Sequence, residues 1–203
     1  MHGLHQVRAR GSPDSIIAKV SALAEGGALR AWACALALLV LALPLSSPDL
    51  FWHLSAGRWI WAHAAVPSVD SFSFTRYGQP WVDFEWAAQL LFYAVNTLDG
   101  LRGLWVLKAA LLIGSFLPID GLMRDKGANQ ESRAAGLALW LCAALAQADL
   151  RVDLCSAAFF ALLLRRLESG RTSLLFGFGL FALWGNLHAG FPVGLALYAA
   201  YAL

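Results

Sequence analysis

The sequence predicts an all-α, polytopic membrane protein of about six spans plus two interfacial helices. Three observations carry that reading. Apolar residues make up 59% of the chain and charged residues only 14%, against roughly 45–50% and about 25% in an average soluble domain; mean hydropathy is +0.60. The apolar residues are gathered into runs separated by short polar turns. Several of the nine Trp residues sit at the ends of those runs, where indole rings settle at a membrane–water boundary. This composition excludes a disordered, collagenous or soluble globular chain. A net charge of +2 is too small to argue for nucleic acid. Cys34, Cys142 and Cys155 fall in apolar runs without paired spacing, and read as small buried hydrophobes, neither a disulfide frame nor a zinc site.

Taken in order, residues 1–30 form a polar segment carrying Arg8, Arg10, Lys19 and Arg30, with Ile16, Ile17, Val20 and Leu23 spaced for a short surface helix. Residues 31–46 are the first apolar run. They lie too far along the chain for an ordinary signal peptide and read as a signal anchor. Further spans are expected over 104–123, 134–148, 154–167 and 172–186, and a last one from 190 to 203. Most fall short of the roughly 20 residues of a perpendicular span and need tilt.

Residues 84–98 either span or lie flat in the interface, and positive charge decides, because Lys and Arg accumulate on the cytoplasmic side. A spanning helix divides the fifteen Lys and Arg almost evenly. A flat one gathers Arg124, Lys126, Arg133, Arg165, Arg166 and Arg171 with the four N-terminal charges. The flat arrangement is therefore expected. It makes 1–30 cytoplasmic, 31–203 the membrane domain, and 47–103 one long external segment.

Within that segment Asp49, Trp52, His53, Ala56, Trp59, Ile60 and His63 recur at helical spacing, with Ser47 placed to cap and Pro48 suited to the first turn. Pro67 ends the helix, Asp70 to Gly78 is turn chemistry, and Asp83 is placed to cap a second helix over 84–98. The turns near 148–153 and 186–190 fall on the same face. Asp49, His53, Glu85, Arg151, Asp153, Asn186 and His188 thus share one compartment, as residues of a membrane-embedded site do.

These residues carry a resemblance. Asp49-x-x-Trp52-His53-Leu54-x-x-Gly57-x-Trp59-Ile60 is followed by Pro67, Asp70-x-Phe72-Ser73-x-Thr75, Gly78, Trp81 and Glu85-Trp86. Trp184-x-Asn186-x-His188-x-Gly190-Phe191 comes later. The pattern resembles bacterial membrane proteins related to the GT-C superfamily of integral-membrane glycosyltransferases, over about residues 31–203. The resemblance implies a bacterial inner-membrane enzyme that takes a sugar from a polyprenyl-phosphate carrier and passes it to an acceptor at the outer membrane face. It also implies a first external loop with two helices along the membrane, and an acidic residue near the end of the first span, which Asp49 matches. The chain then corresponds to about the first half of a typical member, truncated at its C-terminus. Two positions depart from the group's pattern: Ser47 stands where a second Asp is often found, and Val152 follows Arg151 where a Pro is common.

Inverting glycosyl transfer needs a carboxylate to take the acceptor's proton and positive charge or a metal on the departing phosphate. Asp49 and Glu85 are the candidate catalytic acids; as first-turn helix residues they also suit the dipole without any further role. His53, Arg151, Asn186 and His188 are the candidate substrate-binding residues. Arg151 suits a phosphate, or an ion pair with Asp149 or Asp153. Asp49, His53 and Glu85 are placed to share a divalent metal, with no recognised ligand spacing to require one. Lys108, four residues into a span, is expected to snorkel. The expected partners are the lipid bilayer and a lipid-linked sugar donor. The alternative function is a non-catalytic polytopic scaffold or accessory subunit that binds lipid or a partner membrane subunit.

Overall fold

A computed structural model describes residues 34, 37, 38, 42–146 and 149–201. The expected cytoplasmic segment 1–30, with its surface helix, lies outside the described residues, as does half of the expected span 31–46. Among the described residues the chain is all-helical: α1 (Asp49–His63), α2 (Trp86–Asp125), α3 (Gln130–Ala146), α4 (Asp153–Glu168), α5 (Leu174–Leu187) and α6 (Phe191–Ala200).

Local chemistry sets the ends of these helices. Pro48, not Ser47, is the N-cap of α1, and no side chain caps it; Ser47 is buried and instead offers its carbonyl to Leu50 N–H at 3.2 Å. Asp83 precedes α2 and accepts from Glu85 N–H (3.1 Å) and the Gln89 amide (3.0 Å). Asn129 accepts from Ser132 N–H at the start of α3, and Ser173 from Phe176 N–H at the start of α5. Pro192 stands in the first turn of α6, where its missing N–H costs nothing.

The helical run α2 is two helices by its backbone. Asp99 and Gly100 leave the helical region, and Gly100 takes φ 59° and ψ −148°, a conformation open to glycine alone. In an unbroken helix Phe92 and Leu104 would stand about 18 Å apart. Here they share one buried cluster, and Gly103 packs against the Val95 carbonyl. The chain therefore folds back at Gly100 into a leading arm (86–98) and a trailing arm (101–125). The leading arm covers the stretch expected over 84–98. It packs against α1 at Gly57, where the Gln89 carbonyl and Tyr93 leave no room for a Cβ.

The trailing arm, α3, α4, α5 and α6 form a bundle with two chemically distinct ends. At one end Asp120 accepts from Arg124 (2.8 Å) and Arg133 (2.7 Å), Asp125 pairs with Arg165 (3.3 Å), and Glu168 pairs with Lys126 and Tyr201. At the other end the α1–leading arm pair closes over the 149–153 turn and the end of α5. Leu50, Phe92, Leu104, Leu150, Val152, Cys155 and Leu187 meet there in one core. Lys108 is not at a surface: it is fully buried and donates to the Leu43 carbonyl, in the segment of chain that leads into α1. Cys155 is buried as expected, while Cys34 and Cys142 are exposed.

The run Trp86–Asp125, with a mean hydropathy of 1.7 in its most apolar window, is the one described helix long and apolar enough to cross a membrane; α5 and α6 are apolar but shorter. About six spans are expected; among the described residues α3 to α6, which stand where four of them were placed, are helices of 10–17 residues, short of the roughly 20 of a perpendicular span.

Candidate functional site

The α1–leading arm pair and the two turns enclose a cavity of about 320 Å³ lined by Asp49, Trp52, His53, Glu85, Arg151, Val152, Asp153 and His188. Four stretches of chain supply them. Asp49 is the first residue of α1, and His53 follows one turn later on the face that α1 buries. Glu85 caps the leading arm. Arg151 and Asp153 flank the entry to α4, and His188 caps the end of α5.

Two long-range links hold these stretches in register. Trp86 Nε1 donates to Asn186 Oδ1 at 2.8 Å, which ties the residue after Glu85 to the end of α5. The Asp149 carboxylate accepts from Ser46 N–H (3.0 Å) and Ser46 Oγ (2.8 Å), which ties the chain entering α1 to the turn carrying Arg151. A hairpin over 68–81 braces the remaining wall. Its backbone closes from Asp70 N–H to Gln79 (2.9 Å) and from Trp81 N–H to Ser68 (2.9 Å). The Asp70 carboxylate caps the turn through Phe72 N–H (2.8 Å), Ser73 N–H (2.9 Å) and the Ser73 hydroxyl, bonds that hold it below the usual carboxylate range. Phe72 and Trp81 then meet Trp52 edge-on at centroid distances of 5.0 and 5.8 Å.

Glu85 stands at the centre. One of its oxygens is 3.9 Å from His53 Nδ1 and the other 3.9 Å from His188 Nε2. Both gaps are too long for a direct hydrogen bond. Burial lowers the pKa of both histidines, with Arg151 adding to the effect while Asp49 opposes it at His53 and Asp153 at His188. The imidazoles are therefore neutral at neutral pH. Burial raises the pKa of Glu85, helped by the carboxylates of Asp83, Asp153 and Asp49 and opposed by Arg151. Arg151 and Asp49 face each other at 3.9 Å, each about half exposed; a pair this open adds little to stability. His53 is 6% exposed, and its Nδ1 has no hydrogen-bond partner. A buried imidazole nitrogen without a partner is costly, and a ligand entering the cavity could supply one.

Of the residues singled out from the sequence, Asp49, His53, Glu85, Arg151 and His188 line this cavity. Asn186 does not: its amide is taken up by Trp86 and by the Ala182 carbonyl (2.7 Å). The sequence reading missed Ser156 and Trp184 as neighbours of the site. Ser156 Oγ is 2.6 Å from both His188 Nδ1 and Trp184 Nε1. Spacing carried a faint signal for each, Ser156 lying three residues after Asp153 and Trp184 four before His188. Among the described residues no three His, Cys, Asp or Glu side chains stand close enough together to hold a metal ion. Asp49, His53 and Glu85 as placed do not form the metal site that their sequence spacing allowed.

Chemically, the cavity offers carboxylates able to take a proton, one guanidinium able to hold an anion in two parallel bonds, neutral imidazoles, and an indole face at the mouth. No protein-family pattern, curated protein or solved structure matches the chain.

Proposed function

We propose that the chain is a polytopic membrane glycosyltransferase, or the N-terminal part of one, that transfers a sugar from a polyprenyl-phosphate carrier to an acceptor at the outer face of the bacterial inner membrane. The observation that supports this reading best is the convergence of Asp49, Glu85, Arg151 and two histidines from four separate stretches of chain on one cavity. Three of those stretches, at Asp49–His53, at Glu85 and at His188, carry the resemblance to the GT-C glycosyltransferases, while the fourth, at Arg151-Val152, departs from the group's pattern.

Exposed apolar side chains support the membrane part. Val106, Ile113 and Leu117 on the trailing arm, Leu174, Leu175 and Phe178 on α5, and Val193 and Leu195 on α6 all face outward. So large an outward apolar surface suits lipid better than water. Charged residues collect at the two ends of the bundle. Helices of 14–17 residues are about 21–26 Å long, so they fit a hydrocarbon core near 30 Å only with local thinning or help from flanking residues.

In this reading the acceptor hydroxyl attacks the anomeric carbon as the bond from that carbon to the phosphate oxygen breaks. The hydroxyl proton passes to the Asp49 carboxylate, and the negative charge left on the polyprenyl phosphate is held by Arg151. Asp49 is the better base because it is open to the cavity, while Glu85 lies between the two imidazoles. The test is sugar transfer from a polyprenyl-phosphate sugar in membranes carrying wild-type or Asp49→Asn protein. The substitution should lower the rate by about 10²–10⁴-fold. Full activity in the variant would remove Asp49 from the mechanism. No transfer by the wild type, with normal assembly of a partner enzyme dependent on the chain, would favour the scaffold.

A further inference from the structure

His188 is held on its Nδ1 side by an unusually directional set of groups. Trp184 Nε1 can only donate, and it donates to Ser156 Oγ at 2.6 Å. The Gly190 backbone N–H can also only donate, and it points at His188 Nδ1 at 3.2 Å. The Ser156 hydroxyl, with its lone pair turned to the indole, has its own proton free for His188 Nδ1 at 2.6 Å. The Gly190 N–H at Nδ1 decides the direction of that contact: a nitrogen already facing one donor takes the Ser156 proton too, so the bonds run from Trp184 through Ser156 to the imidazole. Nδ1 must therefore be the acceptor, and in a neutral ring the proton then sits on Nε2. Nε2 is the nitrogen that faces Glu85 and the cavity.

The surroundings leave little freedom for any other arrangement. A Cβ at position 190 would meet both the Ser156 hydroxyl and the His188 ring, and a Cβ at 194 would meet the Trp184 indole. Trp184 is 1% exposed and stacks on Phe181 at 5.9 Å. Glycine at 190 and 194 is thus what lets the chain from tryptophan to imidazole close. An imidazolium would put a second proton on Nδ1, against the Gly190 N–H, and would make the Ser156 hydroxyl turn its own proton away to accept from both the indole and the ring.

We propose that Ser156 and Trp184 are positioning residues that hold His188 as an Nε2–H donor directed into the cavity, toward an oxygen of the bound phosphate or sugar. The ligand half of this statement rests on the glycosyltransferase reading; the tautomer does not. Of the charged groups that share the cavity with the ring, Glu85 from the leading arm faces Nε2; Asp49 from α1 and Arg151 and Asp153 from the entry to α4 line the same cavity.

The experiment is nitrogen NMR on the protein in lipid nanodiscs with ¹⁵N-histidine, the His188 signals being identified by their loss in His188→Gln. The wild type is expected to show one neutral tautomer at neutral pH, with the proton on Nε2 and Nδ1 as acceptor. Ser156→Ala should lose that single tautomer to a mixture, and Ser156→Thr, which keeps the hydroxyl, should restore it. Trp184→Phe, which removes the indole N–H, should weaken the preference in the same direction. A wild-type His188 protonated on Nδ1, or a spectrum unchanged by Ser156→Ala, overturns the proposal. The wild-type measurement stands even where a variant fails to fold. In sugar transfer, Ser156→Ala should lower kcat about tenfold, the worth of one such hydrogen bond, and move the acid limb of the pH profile, both recovered in Ser156→Thr. An Nε2–H tautomer in a wild type that transfers no sugar would overturn the proposed function and leave the positioning of His188 standing.

Discussion

Gly57 of α1 lies directly against the Gln89 carbonyl of the leading arm, and the Tyr93 side chain closes the space beside it. The two helices meet backbone to backbone at this point, and the contact sets how far apart Asp49 and His53 stand from Glu85. Adding one methyl group forces either the Gln89 backbone or the whole of α1 to move. Gly57→Ala should therefore lose about 1–3 kcal/mol of stability, the usual cost of overpacking, seen as a lower Tm in detergent. Activity should fall further than the loss of folded protein explains, because the shift separates the cavity's walls.

Asp149 is the second hinge-pin of the site. Its carboxylate takes the Ser46 N–H and hydroxyl and also the N–H of Leu150 at 2.8 Å. Asp149→Ala leaves those donors without their acceptor and frees the chain that enters α1. A loss of roughly 1–3 kcal/mol is expected for bonds to a charged acceptor. Limited proteolysis gives an independent check: cleavage near residues 44–48 should quicken in Asp149→Ala and stay slow in Asp149→Glu if the longer carboxylate still reaches.

The cavity's titratable groups set opposite pH dependences. His53 and His188 are lowered from 6.5 by burial, so the stability they contribute is present above pH 6.5 and lost as pH falls through their lower folded values. Glu85 is raised from 4.5, so its contribution is present below pH 4.5 and lost as pH rises through its higher folded value. Between pH 6.5 and 4.5 the two changes oppose one another. Glu85→Gln removes the carboxylate's share and should make the fall of Tm on acidification steeper than in the wild type. A parallel pair of Tm-against-pH curves would contradict the shifts.

The arrangement of the site was legible in the sequence where polar residues interrupt apolar runs. Asp49, His53, Glu85, Arg151 and His188 stand at such interruptions, and all five line the cavity. The turn chemistry around Asp70 was visible for the same reason. What could not be read was pairing across the chain. Asn186 looks like a ligand-binding amide until Trp86, a hundred residues away, is seen to use it. Ser156 is one small hydroxyl in an apolar helix, a residue that ordinarily bonds its own backbone. Lys108, four residues into an expected span, reads as a headgroup residue until the Leu43 carbonyl, far away in the sequence, is seen to take its ammonium. Spans were harder still, since runs of fourteen or so apolar residues describe a membrane helix and a buried core helix equally well.

Arg151 separates the two roles that its position allows. It faces Asp49 at 3.9 Å and is half exposed on the cavity rim. As a mere partner for Asp49 it supplies only a positive charge, and Lys supplies the same charge. As the group that holds the leaving phosphate it supplies a planar fork of donors that Lys lacks. Arg151→Lys should then cut kcat/KM for the lipid-linked sugar by about 10–100-fold, the worth of one charge-assisted bond, while Tm stays within a degree or two. Removing the charge altogether in Arg151→Gln should lower the rate further and leave Asp49 without its neighbouring cation. Wild-type kinetics in Arg151→Lys, with loss only in Arg151→Gln, would assign the residue to charge balance and move the search for the phosphate's partner elsewhere on the cavity wall.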